Sequence, residues 1–317
     1  MSSSSSSSSF ALQISKIFSY ASMRNMWLSY SFSYRGLRSI QTDLPSLDGT
    51  TTMHCWVPKS PDPNKPNLLL VHGIGSNALW QWNEFVSPFV PHFNLYVPDL
   101  LFFGNSYSSL PDRSVLFQSR SLALLMDSLR VPKMNVIGLS YGGFVAYGLA
   151  SEFPDRVDKL VLCAAGVCME EKDLEEGMFQ VRSVDEAVSM LFPQTPEKVH
   201  AMLEVVFYRP AKRVPEFFLQ DLIDSMFKPN LKEKTELVIA LHKGRKLSDL
   251  LKITQPTLII WGEQDKVFPL ELAHRLVRHL DGKPQLAIVK DAGHAINVEK
   301  PKEMLKHMMA FLVEPPS

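Results

Sequence analysis

The residues best suited to chemistry lie in the stretch 136–143, Val-Ile-Gly-Leu-Ser-Tyr-Gly-Gly. An apolar run leads into a Gly-x-Ser-x-Gly pattern, and a small-residue run that suits a helix follows. This order predicts a strand, a sharp turn and a helix, with glycines where the backbone must approach its neighbours closely. Such a turn is strained and holds its central side chain out above the end of the strand. We therefore predict that Ser140 is a nucleophile.

A serine hydroxyl becomes reactive when a base lies within hydrogen-bond distance and a third group orients that base. Candidates for both roles follow two later apolar runs that are typical of buried strands. His294 is the predicted general base, which then acts as general acid. Asp265 is the predicted orienting carboxylate, and we favour it over Glu263 and Asp291 because it follows its strand by enough residues to curl back.

A fourth element of this chemistry is the loop 72–75, His-Gly-Ile-Gly, which directly follows the apolar run 68–71. The backbone N–H of Ile74, paired with that of Tyr141, is expected to form an oxyanion hole. Asp99 follows another strand, and a turn carboxylate in that position is expected to brace its loop rather than to act in catalysis.

These residues require a sheet whose strand ends meet at one edge. Short apolar runs alternate with helical segments, at 68–71, 94–97, 136–139, 160–163, 257–261 and 286–289. Runs without internal polar residues indicate strands buried on both faces. The sequence predicts an α/β fold with a mostly parallel sheet and helices on both faces, in two parts that span 46–166 and 251–317.

Residues 167–250 break this alternation, because they have helical periodicity and no buried strand. We predict that they form a helical cap inserted into the α/β domain. The insertion is rich in methionine and phenylalanine, which favour varied apolar ligands. Its candidate substrate-binding residues are Met169, Phe179, Phe192, Phe218 and Met226.

Residues 1–45 are predicted to be a targeting or disordered segment. A serine tract opens the chain, and the only charges before Asp43 are basic. This composition favours a transit peptide, and hence a chloroplast or mitochondrial location. Two alternatives stay open. The segment could be an interfacial helix that gives peripheral membrane contact, which would make the protein membrane-associated. It could also be a disordered tail on a cytoplasmic protein. The helix would align Phe10, Ile14, Ile17, Phe18, Ala21 and Trp27.

Composition narrows the range of partners. Lys+Arg and Asp+Glu are both 33, so no basic surplus suggests a nucleic-acid partner. The three cysteines include no C-x-x-C pair, so we expect neither a disulfide framework nor a zinc site. No cofactor or metal is expected, and the predicted partner is a small apolar ester.

The motifs together resemble the α/β-hydrolase superfamily with a helical cap, over about residues 50–315. They are His-Gly-x-Gly at 72–75, Gly-x-Ser-x-Gly at 138–142, Gly-x-x-Asp at 262–265 and Gly-His at 293–294, in the family's Ser, Asp, His order. The chain looks like a plant-type member of the serine branch that includes esterases and monoacylglycerol-lipase-like enzymes. Serine at 140 departs from the aspartate nucleophile of epoxide hydrolases and dehalogenases. Acyltransferase-like relatives carry His-x-x-x-x-Asp, and Glu299 departs from that pattern.

The resemblance implies a carboxylic-ester hydrolase with a serine nucleophile, which cleaves an ester with an apolar acyl or alkyl group through an acyl-enzyme intermediate. Two alternatives stay open. One is a hydrolase of carbon–carbon bonds that uses the same three residues. The other is a ligand-binding receptor of the same fold.

Overall fold

The computed structural model describes residues 19–44 and 49–313. These residues form a nine-stranded sheet. Its strands are β1 (Leu37–Asp43), β2 (Thr51–Pro58), β3 (Asn67–Val71), β4 (Asn94–Pro98), β5 (Tyr107–Ser108), β6 (Met134–Leu139), β7 (Val157–Cys163), β8 (Thr257–Gly262) and β9 (Gln285–Val289). The order across the sheet is β1-β2-β4-β3-β6-β7-β8-β9, with β5 paired to β2.

The predicted α/β class and mostly parallel sheet are confirmed. Strands β4, β3, β6, β7, β8 and β9 pair in parallel, whereas β2 pairs antiparallel with β1, β4 and β5. Because successive side chains of a strand point to opposite faces, Leu69 and Val71 of β3 enter one core cluster while Leu68 and Leu70 enter another. Both faces of the sheet are therefore buried, which explains why the central strands are mostly apolar.

Helices cover the sheet. They are α1 (Tyr20–Tyr34), α2 (Ala78–Phe89), α3 (Val115–Ser128), α4 (Tyr141–Glu152), α5 (Glu171–Glu175), α6 (Val184–Leu191), α7 (Pro196–Val206), α8 (Glu216–Leu222), α9 (Leu231–His242), α10 (Glu271–His279), α11 (Ile296–Glu299) and α12 (Pro301–Val313). Capping side chains define several starts: Asn77 accepts the N–H of Trp80, and Ser114 accepts that of Phe117. Within the described residues, no helix is both long enough and apolar enough to cross a membrane.

The interval between β7 and β8 contains helices α5 to α9, a π-helical turn at Ile223–Phe227 and a short 3-10 turn at Leu247–Asp249. These helices have a small core of their own, made of Phe192, Val199, Leu219, Ile223, Phe227 and Val238. We refer to residues 167–250 as the helical insertion. Its limits as a separate domain stay a prediction.

The N-terminal prediction needs a correction. Residues 20–43 are not a disordered or purely targeting segment, because α1 and β1 are part of the folded body. Strand β1 pairs along its whole length with β2, from Leu37 opposite Pro58 to Asp43 opposite Thr52. Phe32 and Leu28 of α1 are fully buried. The transit-peptide prediction rests on the serine tract and on the purely basic charges before Asp43. The serine tract lies in residues 1–18, outside the described residues, and the transit peptide stays a prediction.

Candidate active site

Ser140 lies on the sharp turn between β6 and α4, with a backbone φ of 54° and ψ of −122°. A non-glycine residue at this φ is strained, and such a conformation persists only when neighbouring contacts stabilise it. The Ser140 N–H donates to the Cys163 carbonyl at 2.8 Å. A Cβ on Gly142 would lie 2.3 Å from the Val71 carbonyl oxygen, so only glycine permits this packing. The turn therefore presents the hydroxyl at the C-terminal edge of the parallel strands.

His294 lies within hydrogen-bond distance of Ser140. Its Nε2 is 2.9 Å from the Ser140 Oγ, and its Nδ1 is 2.9 Å from Oδ2 of Asp265. An ionised carboxylate accepts from Nδ1–H, so Nε2 is left to accept the serine proton. The structure thus brings together three side chains that lie far apart in the sequence.

Asp265 is buried and its second oxygen is also occupied. Its Oδ1 accepts the backbone N–H groups of Val267 and Phe268 at 2.8 and 2.9 Å. These bonds fix the carboxylate plane and so fix the direction in which it meets the imidazole. The two rivals considered from the sequence, Glu263 and Asp291, are exposed.

The loop 72–75 lies directly against the serine. A Cβ on Gly73 would lie 3.0 Å from the Ser140 Cβ and 2.9 Å from the Leu139 carbonyl oxygen. Ile74 and Tyr141 both line the cavity that contains Ser140. No described residue accepts a hydrogen bond from the backbone N–H of Ile74, which leaves that donor available to a ligand.

Two buried side chains that the sequence analysis did not assign hold this loop. Gln81 of α2 accepts the Gly73 N–H at 2.7 Å. The His72 imidazole lies 2.8 Å from the Gly73 carbonyl oxygen through Nδ1 and accepts the Leu100 N–H through Nε2. Burial lowers the pKa of His72, and the charge of Lys234 lowers it further. The charge of Asp99 acts in the opposite direction but does not outweigh burial. A neutral imidazole suits this pair of bonds, because one nitrogen donates and the other accepts.

Glu299 positions the loop that carries His294. Its carboxylate accepts backbone N–H groups from Gly293 at 2.7 Å and from two residues of the helical insertion, Tyr208 at 3.2 Å and Arg209 at 3.0 Å. The sequence analysis noted Glu299 only as a departure from acyltransferase-like relatives. No sequence signal connects it to residues some ninety positions away, so only the tertiary structure reveals this role.

A largely apolar cavity of about 90 Å³ opens on Ser140. Two of the five substrate-binding predictions line it, Met169 and Phe179. Phe268 also lines it, and its ring meets the His294 ring edge to face at 5.5 Å. The remaining lining is mostly aliphatic side chains from the insertion: Leu174, Val181, Val184, Ala187, Met190, Leu191, Val238 and Leu241.

The other three substrate-binding predictions need correction, because the structure places them outside this cavity. Phe192 is buried in the core of the insertion, and Met226 packs against that core. Phe218 lies beside α1, where its ring meets Tyr20 at 4.9 Å. The helices of the insertion bury apolar residues on several of their faces. The sequence alone does not predict which of these faces points toward Ser140.

The described residues contain no group of three or more His, Cys, Asp or Glu side chains arranged to hold a metal ion.

Residues 66–202 match the family described as alpha/beta hydrolase fold. The chain is 30% identical over 267 residues to monoacylglycerol lipase abhd6-B of Xenopus laevis, which covers 81% of this chain and 78% of that protein. It is 29% identical over 270 residues to monoacylglycerol lipase ABHD6 of Mus musculus, with 81% and 79% covered.

Among solved structures, a thermophilic esterase from Thermogutta terrifontis superposes with a TM-score of 0.68 at 21% identity, covering 87% of this chain and 98% of that one. This likeness concerns the fold. The chain belongs to the α/β-hydrolase family, as an esterase- and monoacylglycerol-lipase-like member.

Proposed function

We propose that the protein is a serine hydrolase that cleaves a carboxylic ester with an apolar acyl or alkyl group, through an acyl-enzyme intermediate. The observation that carries this proposal is the pair of 2.9 Å contacts that join Ser140 to His294 and His294 to Asp265, beside an apolar cavity. Relatives named monoacylglycerol lipases support the ester class.

In the proposed reaction, the Ser140 Oγ attacks the ester carbonyl carbon while His294 Nε2 accepts the hydroxyl proton. The carbonyl oxygen becomes negatively charged and binds the N–H groups of Ile74 and Tyr141. One such donor lowers the activation barrier by about 3 to 4 kcal/mol. His294 then protonates the leaving alcohol as the carbon–oxygen bond breaks. Water attacks the acyl-enzyme with His294 as base, which regenerates Ser140 and releases the acid.

The cavity supports an apolar chain rather than a charged group. A volume of about 90 Å³ is small beside the roughly 300 to 1,000 Å³ of typical ligand pockets. Met169 and Leu174 are among the apolar residues that line the cavity. Flexible thioethers such as that of Met169 adapt to chains of different shape. We therefore expect short to medium acyl chains to be preferred over long ones.

Fluorophosphonate labelling followed by peptide mapping tests the nucleophile without a choice of substrate. The expected result is one adduct on the peptide that contains Ser140. A folded protein that acquires no adduct there, or that is labelled at a different serine, would overturn the proposal. Labelling at Ser140 without ester turnover would instead favour the receptor alternative.

A series of p-nitrophenyl esters tests the chain-length preference. Phe179→Ala widens the cavity and should shift the optimum of kcat/KM toward longer acyl chains. Phe217→Ala is a matched control, because Phe217 is exposed and does not line this cavity. An optimum that stays unchanged in Phe179→Ala would remove the assignment of the cavity to the acyl chain.

The carbon–carbon bond hydrolase stays a second candidate for one reason. Two residues of the insertion that line the cavity, Gln180 and His242, carry polar side chains. The buried Nε2 of His242 has no hydrogen-bond partner among the described residues. A polar group in this place could stabilise a second carbonyl, so the substrate panel should include a vinylogous diketone. Turnover of that compound with no ester cleavage would favour this candidate.

A further inference from the structure

Helix α1 has large apolar side chains on two faces, although only one of them packs on the protein. Its buried face includes Leu28 and Phe32, which are fully covered. Six large side chains are exposed elsewhere on the helix: Tyr20, Met23, Met26, Trp27, Tyr30 and Tyr34. We call these six residues the aromatic face. A surface helix in water normally presents a polar outer side, and α1 does not.

Spacing explains why the exposed residues form one surface. Positions 20, 23, 27, 30 and 34 are separated by steps of three and four, so they follow one side of the helix. The exposed fractions of Met26, Trp27 and Tyr30 are 74%, 59% and 70%. Contiguous apolar surface of this kind usually marks an interaction site.

The aromatic face continues onto the helical insertion. The ring of Tyr20 meets Phe218 of α8 edge to face at 4.9 Å, and Phe218 lies 4.2 Å from the ring of Phe217. Phe217 is 66% exposed. Two separate elements therefore contribute to the apolar surface, which makes it broader than the seam of a single helix.

The charged side chains of α1 itself and of the strand that follows it are basic up to residue 42. Between residues 19 and 42 the sequence contains no Asp or Glu, and it contains Arg24, Arg35 and Arg38. Arg38 and Lys59 are exposed, and the Lys59 ammonium donates to the Ser33 carbonyl at the C-terminal end of α1. The carboxylate that touches α1 at its other end, Asp221, accepts the Ala21 N–H at 2.7 Å. A basic rim complements an anionic surface.

We propose that the aromatic face of α1, together with Phe217, docks the protein on an anionic lipid–water interface. Tyrosine and tryptophan suit that position because the ring enters the apolar layer while the hydroxyl or indole N–H stays hydrated. A dry seam with a second copy would bury the hydroxyls of Tyr20, Tyr30 and Tyr34 away from water. This docking surface lies outside the proposed catalytic residues and does not depend on their chemistry.

Flotation with phosphatidylcholine vesicles, with and without phosphatidylglycerol, tests the proposal. Full-length protein is expected to float with the vesicles that contain phosphatidylglycerol, and less so as salt is raised. The triple variant Met26→Ser/Trp27→Ser/Tyr30→Ser should bind at least about tenfold more weakly, since burial of one large apolar side chain alone accounts for about that factor. The matched control Ile239→Ser/Leu251→Ser/Val298→Ser removes exposed apolar side chains elsewhere and should float like the unmodified protein.

Two further readouts separate this proposal from the proposed function. The Ser140→Ala protein should float normally, because docking needs no chemistry. The triple variant should keep its activity on a water-soluble ester and lose activity on an ester dispersed in vesicles. The proposal is overturned if the unmodified protein floats with neither vesicle, or if the triple variant binds as tightly as the unmodified protein. A dimer that the triple variant dissociates, without vesicle binding, would assign the face to a second copy instead.

Discussion

Two regions of this protein contain a serine, a histidine and an aspartate joined by hydrogen bonds. In the first, Ser140, His294 and Asp265 are joined by contacts of 2.9 and 2.9 Å. In the second, Ser39 Oγ lies 2.8 Å from His54 Nε2, and His54 Nδ1 lies 2.8 Å from Asp99 Oδ2. By these distances alone the two arrangements cannot be told apart.

The two serines differ in what surrounds them. Ser140 occupies a strained turn at the start of α4, with a glycine loop against it and an apolar cavity beside it. Ser39 lies in the middle of the regular strand β1, opposite Trp56, and is exposed. A regular strand does not direct two backbone N–H groups at a point beside a side-chain hydroxyl, so the Ser39 region has no equivalent of an oxyanion hole.

The two aspartates differ as well. Asp99 accepts the Ala78 N–H through Oδ1 and the Asn105 N–H through Oδ2, in addition to its contact with His54. It therefore ties β2 to the start of α2 and to the loop after β4, as the sequence analysis expected of a bracing carboxylate. A Ser–His–Asp arrangement thus supports either chemistry or architecture, and the serine backbone and its neighbours decide which.

The largest difference between the two regions should appear when each serine is removed. Ser140→Ala is expected to lower kcat for a p-nitrophenyl ester by about 10⁶-fold, because the nucleophile is lost. Ser39→Ala should leave kcat within a factor of about two, since the Ser39 region lacks the features that activate a serine. Initial rates of the purified proteins give both values, and substantial activity in Ser140→Ala would refute the assignment.

Replacing the aspartates should separate activity from stability. Asp265→Asn is expected to lower kcat by about 10⁴-fold, because an amide no longer holds the productive imidazole tautomer. Asp99→Asn should lower the free energy of unfolding by about 3 to 5 kcal/mol, as when a buried charged pair is broken. Its kcat per folded molecule should stay close to that of the unmodified protein. Kinetics and urea denaturation of the two variants decide the point, and the reverse pattern would exchange their roles.

A methyl group on Gly73 should test the oxyanion loop. The added Cβ would lie 2.9 Å from the Leu139 carbonyl oxygen and 3.0 Å from the Ser140 Cβ, so the loop must shift. We expect Gly73→Ala to lower kcat by about 10² to 10³-fold through loss of an oxyanion donor. Gly282→Ala is the control, because its Cβ would approach nothing closer than 3.8 Å. Equal activity of both variants would argue against Ile74 as a donor.

Acid should reduce the contribution that Asp99 makes to the free energy of unfolding. Burial acts to raise the pKa of Asp99, but the hydrogen bond and charge of His54 and the hydrogen bond from the Ala78 N–H outweigh it and hold this pKa below its ordinary value of 3.8. A lowered folded-state pKa gives stability that is present above pH 3.8 and is lost as the pH falls further.

The difference in unfolding free energy between the unmodified protein and Asp99→Asn should therefore shrink as the pH falls below about 4. Urea denaturation at a series of pH values measures it. Asp281→Asn serves as a surface control, because Asp281 is 73% exposed. A difference that is independent of pH would show that Asp99 does not stabilise the fold as a charged group.

The sequence by itself determined the α/β class and the positions of Ser140, Asp265 and His294. The reason is local: each residue follows a buried apolar run, and parallel strands bring their carboxyl ends to one edge. The same logic located Ile74 in a loop beside the serine. None of these inferences required knowledge of distant packing.

Only the tertiary structure decided which apolar side chains face the cavity. Phe179 lines the cavity, whereas Phe192 and Phe218 lie outside it. A helix in an apolar insertion can turn several faces inward, and its rotation depends on neighbours that are remote in sequence. The incorporation of α1 and β1 into the folded body, and the tie from Glu299 to the insertion, arise in the same way. They are contacts between segments whose local patterns contain no information about each other.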